Sequence, residues 1–372
     1  MTEADKKYFY RNYKLAEYQV NLYPLFVENS TNNLKKNGVL SLVTPNNWLT
    51  INTNKLLRKF VLEKSNVTIV NFYARVFESA DVDCAILIFR NSNDNREIEL
   101  LEYVEDFVSV KKANADFFLK QRDFIINIEA LKGNETLAFL QKIENLSDKL
   151  SDVASVKVGL KAYQIGKGKP LQTKEIKESR VFHSRTQTTD NHLKYLDGKD
   201  VSRYVLTWNG EFLNYGKHLA EPRNDFNLFS TERILIRQIP AKPPYCIHAC
   251  LTKETMLNDL NSMNVINIKE SPEMILGILN SRLISYWFVH KFGKMQRGVF
   301  PQFKVNELAD FPLPKNRKTK QTEIAAIVDE IIEAKKQDAT ANTSKLECKI
   351  DELVYQLYGL TDEEIRIVEG KA

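Results

Sequence analysis

The chain is poor in cysteine, with four in 372 residues: Cys84, Cys246, Cys250 and Cys348. Only Cys246 and Cys250 lie close together, and one C-x3-C pair without a second is a weak signal for structural zinc. Reduced thiols packed in a cytosolic protein are the expected state. Uncharged apolar runs of about 18 residues are absent, so no membrane-spanning helix is expected. The opening MTEADKKYFYRNYK is polar and lacks the apolar core of a secretory signal. Glycine is sparse at 13 residues. The G-x-G at Gly166 and Gly168 is followed by no apolar-periodic helix, so it is no nucleotide fingerprint. No Asp…Glu-x-Lys carboxylate cluster falls on paired strands, which argues against an endonuclease.

What is present is unevenly distributed. The net charge is only +5, yet residues 151–320 carry 27 Lys+Arg against 16 Asp+Glu, and residues 321–372 carry 6 against 12. All five histidines fall between His183 and His290. A basic middle flanked by neutral and acidic parts suggests a module that binds a polyanion.

At about 150 residues per domain, two or three domains are expected. The apolar spacing of Tyr18 to Leu34 predicts a helix ended at Lys36-Asn37-Gly38, with Gly38 as a left-handed cap. Three apolar strands follow, VLSLVTP, NVTIVNFY and CAILIFR, with a helix through Leu62 between the first two. Together they read as the second half of a doubly wound, Rossmann-like sheet whose first half is not encoded. Residues 91–150 are charged and read as helix-prone. Residues 151–315 read as a mixed α+β region of short strands and turns, with aromatic residues scattered among basic ones. FPLPKNRKTK is a linker, and residues 321–372 read as an amphipathic helical hairpin, its second helix capped at Gly359 and a short third beginning at Thr361.

NLYPLFVENS, NGVLSLVTPNNWLT and VFESADVDCAILIF in the first part, and LDGKDVSRY, LNYGKHLAEPRN, ILIRQIP, GILNSRLISYWF and FPQFKVNELADFPLP in the second, resemble the TaqI-like branch of N6-adenine DNA methyltransferases. IDELVYQLYGLTDEEI resembles the helical tail of the fused restriction–modification enzymes that share its specificity domain. The resemblance implies four parts: the C-terminal half of a catalytic domain over 1–110, a helical bridge over 111–150, a target-recognition domain over 151–315, and a helical tail over 321–372. It also implies double-stranded DNA as partner, S-adenosylmethionine as cofactor of the complete enzyme, and a bacterial cytoplasmic location. The family's glycine-containing cofactor turn and its Asn-Pro-Pro-Tyr tetrapeptide do not occur; Pro243-Pro244-Tyr245 follows Lys242 and reads as a strand-to-loop turn. The isolated chain is therefore expected to hold no cofactor and transfer no methyl group without a catalytic half. A non-enzymatic specificity subunit acting in trans with a separate catalytic chain is the alternative, with the acidic tail as its docking element.

In the family, an aromatic residue at the position of Phe77 packs against the adenine flipped out of the duplex; a core Phe beside Val76 is the structural alternative. Asn46, Asn47 and Trp48 follow the end of a strand, where such sheets bind ligands, or form a structural loop. Lys161, Lys167 and Lys169 read as a flexible basic loop able to touch phosphates, or as plain solvated surface. The turn at Asp197-Gly198 is expected to present Lys199, Arg203 and Tyr204, with Lys217 and Arg223 bordering the same surface. Arg237 and Gln238 end an apolar strand: Arg suits guanine and Gln suits adenine in the major groove, while a structural salt bridge is equally open to Arg237. Lys294, Gln296, Arg297 and Lys304, interleaved with phenylalanines, form the strongest candidate for DNA contact.

Overall fold

The computed structural model describes residues 1–371 apart from 19, 74–75, 81, 93, 133–134 and 294–301. Lys294, Gln296 and Arg297 lie outside the described residues. The chain divides into two compact units, Met1–Ala138 with Val289–Pro301, and Phe139–Phe288 with Gln302–Ala372. No helix among the described residues is long and apolar enough to cross a membrane.

The first unit is built on a five-stranded sheet. β1 (Val39–Pro45), β2 (Ser65–Phe72), β3 (Cys84–Arg90), β4 (Glu97–Tyr103) and β5 (Phe107–Asn114) stand in the order β1-β3-β2-β4-β5. β3 runs antiparallel to both β1 and β2. β2 is parallel to β4, which is antiparallel to β5. The apolar residues of β1 to β3 pack with Trp48, Leu57, Val61 and Leu62 from the segment between β1 and β2. β4 and β5 correct the expectation of helix in the charged stretch after residue 90. EIELLEY alternates, burying Ile98 and Leu100 completely while Glu97 and Glu99 stay partly exposed, and this period of two outweighs the helical preference of Glu. The helix predicted to reach Leu34 ends at Asn32, and the left-handed residue before β1 is Asn37 (φ 64), not Gly38.

The second unit holds two four-stranded sheets. One is antiparallel, in the order Ala249–Thr252, Arg233–Arg237, Ser262–Ile266, Ser155–Val158. The other orders Leu257–Asn258, His192–Leu196, Phe212–Asn214 and His183–Ser184. Pro272–Leu279 is a helix buried from Met274 to Leu279 and begun by Ser271, whose side chain accepts from the Met274 N–H. A Cβ on Gly277 would lie 2.7 Å from Ile324 and 3.1 Å from Val328, so glycine here admits the helix Gln321–Gln337 at close range. The helices of residues 321–372 thus pack as part of this unit. Lys142 pairs with Glu364 at 2.6 Å, and the Tyr358 hydroxyl donates to the Pro312 carbonyl at 2.9 Å.

Candidate DNA interface

RILIR places four buried residues in the middle of a sheet and brings Arg237, half-buried, to the strand's end. Its backbone N–H donates to the His248 carbonyl at 2.9 Å, and Ser262 stands opposite it in the ladder. Arg237 has no carboxylate partner among the described residues, whereas its neighbours in the unit are engaged. Arg180 and Arg185 pair with Glu211, Arg203 with Glu347, Arg223 with Glu221, Arg282 with Asp351, and Arg317 with Glu270 and Asp148. Arg233, fully buried on the same strand, gives its guanidinium to the carbonyls of Thr231, Glu254 and Met256. The salt-bridge alternative for Arg237 is therefore not what the fold contains. Gln238 is buried; its carbonyl accepts from the Phe303 N–H at 3.2 Å, and its side-chain amide has no partner among the described residues.

His248 lies beside Arg237 and was not legible as a site residue, because nothing in IHAC marks its register against strand Arg233–Arg237. Burial, then the positive charges of Arg203 and Arg237, push its pKa down to about 4, so the imidazole beside Arg237 is neutral near pH 7.

The basic segment after Gly159 is pinned rather than flexible. Gln172 is 2% exposed, and its side chain accepts from the Gln164 N–H and donates to the carbonyls of Ala162 and His218. Lys167 and Lys169 are exposed on this loop, and the Lys169 N–H donates to the carbonyl of Lys217, itself exposed. Lys161 is half-buried with its ammonium on Gln164 at 2.6 Å. None of these four lysines has a carboxylate within ion-pair distance among the described residues, unlike Lys142, Lys149, Lys194 and Lys253 of the same unit. Arg223 is anchored to Gly159 and Glu221, and lines a pocket of about 230 Å³ with Lys157, Asn224 and Asp225.

The turn at Asp197-Gly198 does expose Lys199, 3.8 Å from Asp197. It does not present the next two candidates. Tyr204 is 3% exposed, and Arg203 turns inward to Glu347 and the Asn280 carbonyl, stacked 3.7 Å from the Tyr245 ring. The short distance along the chain from Lys199 suggested a shared surface, but the short strand Val201–Ser202 between them carries Arg203 into the fold. Tyr245, from the Pro-Pro-Tyr turn, donates to Asp351 at 2.7 Å, so that turn is a structural tie to the helix Ser344–Leu357. Lys304 is exposed just before the helix Val305–Ala309.

In the first unit, Phe77 is 44% exposed in the loop between β2 and β3, beside Val76 at 37%, so it is not a core residue. The residues after β1 are committed inside the fold: Asn46 donates to Asn71, Tyr23 donates to Asn47, and fully buried Trp48 donates to Thr44. Among the described residues no group of three His, Cys, Asp or Glu side chains could hold a metal.

These features sit on recognisable modules. Residues 193–313 match the TaqI-like C-terminal specificity domain, and residues 1–77 match the Eco57I restriction-modification methylase family. Two stretches of the chain thus match DNA-specificity and methylase-related domains of restriction–modification systems. It is 24% identical over 371 residues to a Methanocaldococcus jannaschii protein named as a type II restriction enzyme and methyltransferase; 91% of the chain is matched, but only 29% of that protein. Among solved structures it resembles the Type IIL restriction–modification enzyme MmeI in complex with DNA, with a TM-score of 0.62 and 15% identity over 99% of this chain and 54% of that one. It also resembles DrdV in a DNA complex, with a TM-score of 0.50 and 11% identity over 89% of this chain and 42% of that one.

Proposed function

We propose that the chain is the DNA-reading part of an adenine-N6 DNA methyltransferase of the restriction–modification type, choosing the site while another part performs the transfer. The observation that carries this reading is Arg237: a half-buried guanidinium at a strand's end, within the stretch that matches the specificity domain, that no carboxylate among the described residues neutralises. A bidentate pair to guanine gives such a group its missing partner. Lys161, Lys167, Lys169, Lys199, Lys217 and Lys304 then serve the phosphates, while Lys294, Gln296 and Arg297 remain candidates from sequence alone.

Phe77, 44% exposed on its loop, would stack on a flipped adenine as one wall of a pocket. The first unit fits the second half of a Rossmann-like methylase sheet: Val39 and Val43 of edge strand β1, with Leu22 and Phe26 of the helix before it, leave exposed the apolar surface that a catalytic half would cover. S-adenosylmethionine belongs to that half.

Duplex binding should weaken steeply with salt, because each phosphate neutralised releases counterions. Fluorescence anisotropy between about 50 and 200 mM salt is expected to show a loss of several-fold or more in affinity; a flat profile, or no binding, would remove the reading. Incubated with labelled cofactor and mixed-sequence DNA, the chain should leave the DNA unlabelled. Adding a catalytic half should restore labelling, and Phe77→Ala should then lower it. Labelling by the chain alone would place the active site elsewhere.

A further inference from the structure

The segment from Lys161 to Gln172 carries more than charge. Ile165 and Leu171 are 55% and 68% exposed, two of the five large hydrophobic residues that the second unit leaves exposed among its described residues. They flank one closure: the Gly166 N–H donates to the Gln172 carbonyl at 2.9 Å, and the Gln172 N–H donates to the Lys167 carbonyl at 2.8 Å. Gly168 (φ 83) packs so tightly that a Cβ there would lie 2.3 Å from the His218 carbonyl oxygen. With the side chain of Gln172 bonded at three points beneath it, the loop holds its shape without a ligand. Two apolar side chains are thereby fixed among Lys167, Lys169 and Lys217.

A polyanion drawn to the lysines brings its surface against Ile165 and Leu171. A sulfated sugar chain offers them nothing apolar. A DNA groove offers deoxyribose faces, base edges and thymine methyl groups, and burying an aliphatic side chain there is favourable without carrying charge. We infer that Ile165 and Leu171 form an apolar groove contact, held by the pinned loop while its lysines grip the flanking phosphates. This rests on the reading of the second unit as a duplex-DNA binder, and it adds a site whose contribution is not electrostatic. Because the loop is ordered beforehand, binding does not have to meet the entropy of fixing it.

The test compares the full chain with three variants on a DNA duplex and on heparin, across a salt series. Ile165→Ser with Leu171→Ser is expected to lower duplex affinity roughly tenfold or more, leave the slope of log affinity against log salt unchanged, and leave heparin binding as it was. Lys167→Ala with Lys169→Ala and Lys217→Ala should weaken both ligands and flatten the slope. Gly168→Ala keeps every charge and apolar group but displaces the loop, and should lower duplex affinity. Unchanged duplex affinity in the Ser double variant, its thermal melting matching the parent, overturns the groove contact. An equal loss on heparin overturns it as well. A parent chain that binds no duplex shows instead that the DNA reading is wrong, and the groove contact falls with it.

Discussion

At the scale of single residues, the second unit separates cations held by the fold from cations left to a ligand. The same separation governs its histidines. The pKa of His183 is pushed down to about 4, by burial first and by Arg180 second, and His248 is held equally low. Both folded values lie below the ordinary histidine value of about 6.5, so each neutral imidazole adds stability that is fully present above about pH 6.5. That stability drains away as pH falls from there towards 4, because the unfolded chain then takes up protons the folded one refuses. Melting temperature should accordingly decline over that window, and His183→Gln with His248→Gln should flatten the decline. An unaltered slope in the double variant would assign the acid sensitivity to other groups.

At the scale of elements, β1 to β3 and the C-terminal helices are legible in the sequence, because each has one strong period and clear stops. β4 and β5 are not, since EIELLEY mixes helix-favouring residues with strand alternation and tertiary pairing decides. The inward course of Arg203 was equally hidden: its partner Glu347 lies on the helix Ser344–Leu357, far along the chain. The helices of 321–372, a docking element only under the alternative of a specificity subunit acting in trans, commit carboxylates to Arg203, Arg282 and Tyr245 within the second unit. Arg203→Ala should cost about 2–3 kcal/mol in chemical denaturation, because it leaves the half-buried Glu347 without its cation and with only the Thr343 hydroxyl as a side-chain partner. Arg237→Ala should cost about 1 kcal/mol or less, as it breaks no internal pair. Similar losses in both would mean that Arg237 is structural.

For the whole molecule, the candidate DNA surface was legible wherever the chain marks it locally. The lysines between Lys161 and Lys169, with Lys217, stand exposed or half-exposed, and Arg237 ends its strand as the pattern ILIRQIP implies. What the sequence could not show is which cations the fold consumes, since that depends on carboxylates brought from distant segments. A specificity function requires that these residues read a sequence. The most direct measurement is repeated selection of bound duplexes from a random pool by the full chain, followed by the same selection with Arg237→Ala. The wild-type chain should enrich one short motif containing a G·C pair that the variant no longer enforces, a loss of roughly 1–3 kcal/mol of discrimination at that position. A pool that emerges unenriched, with duplexes bound in proportion to length alone, would contradict a specificity function for this chain.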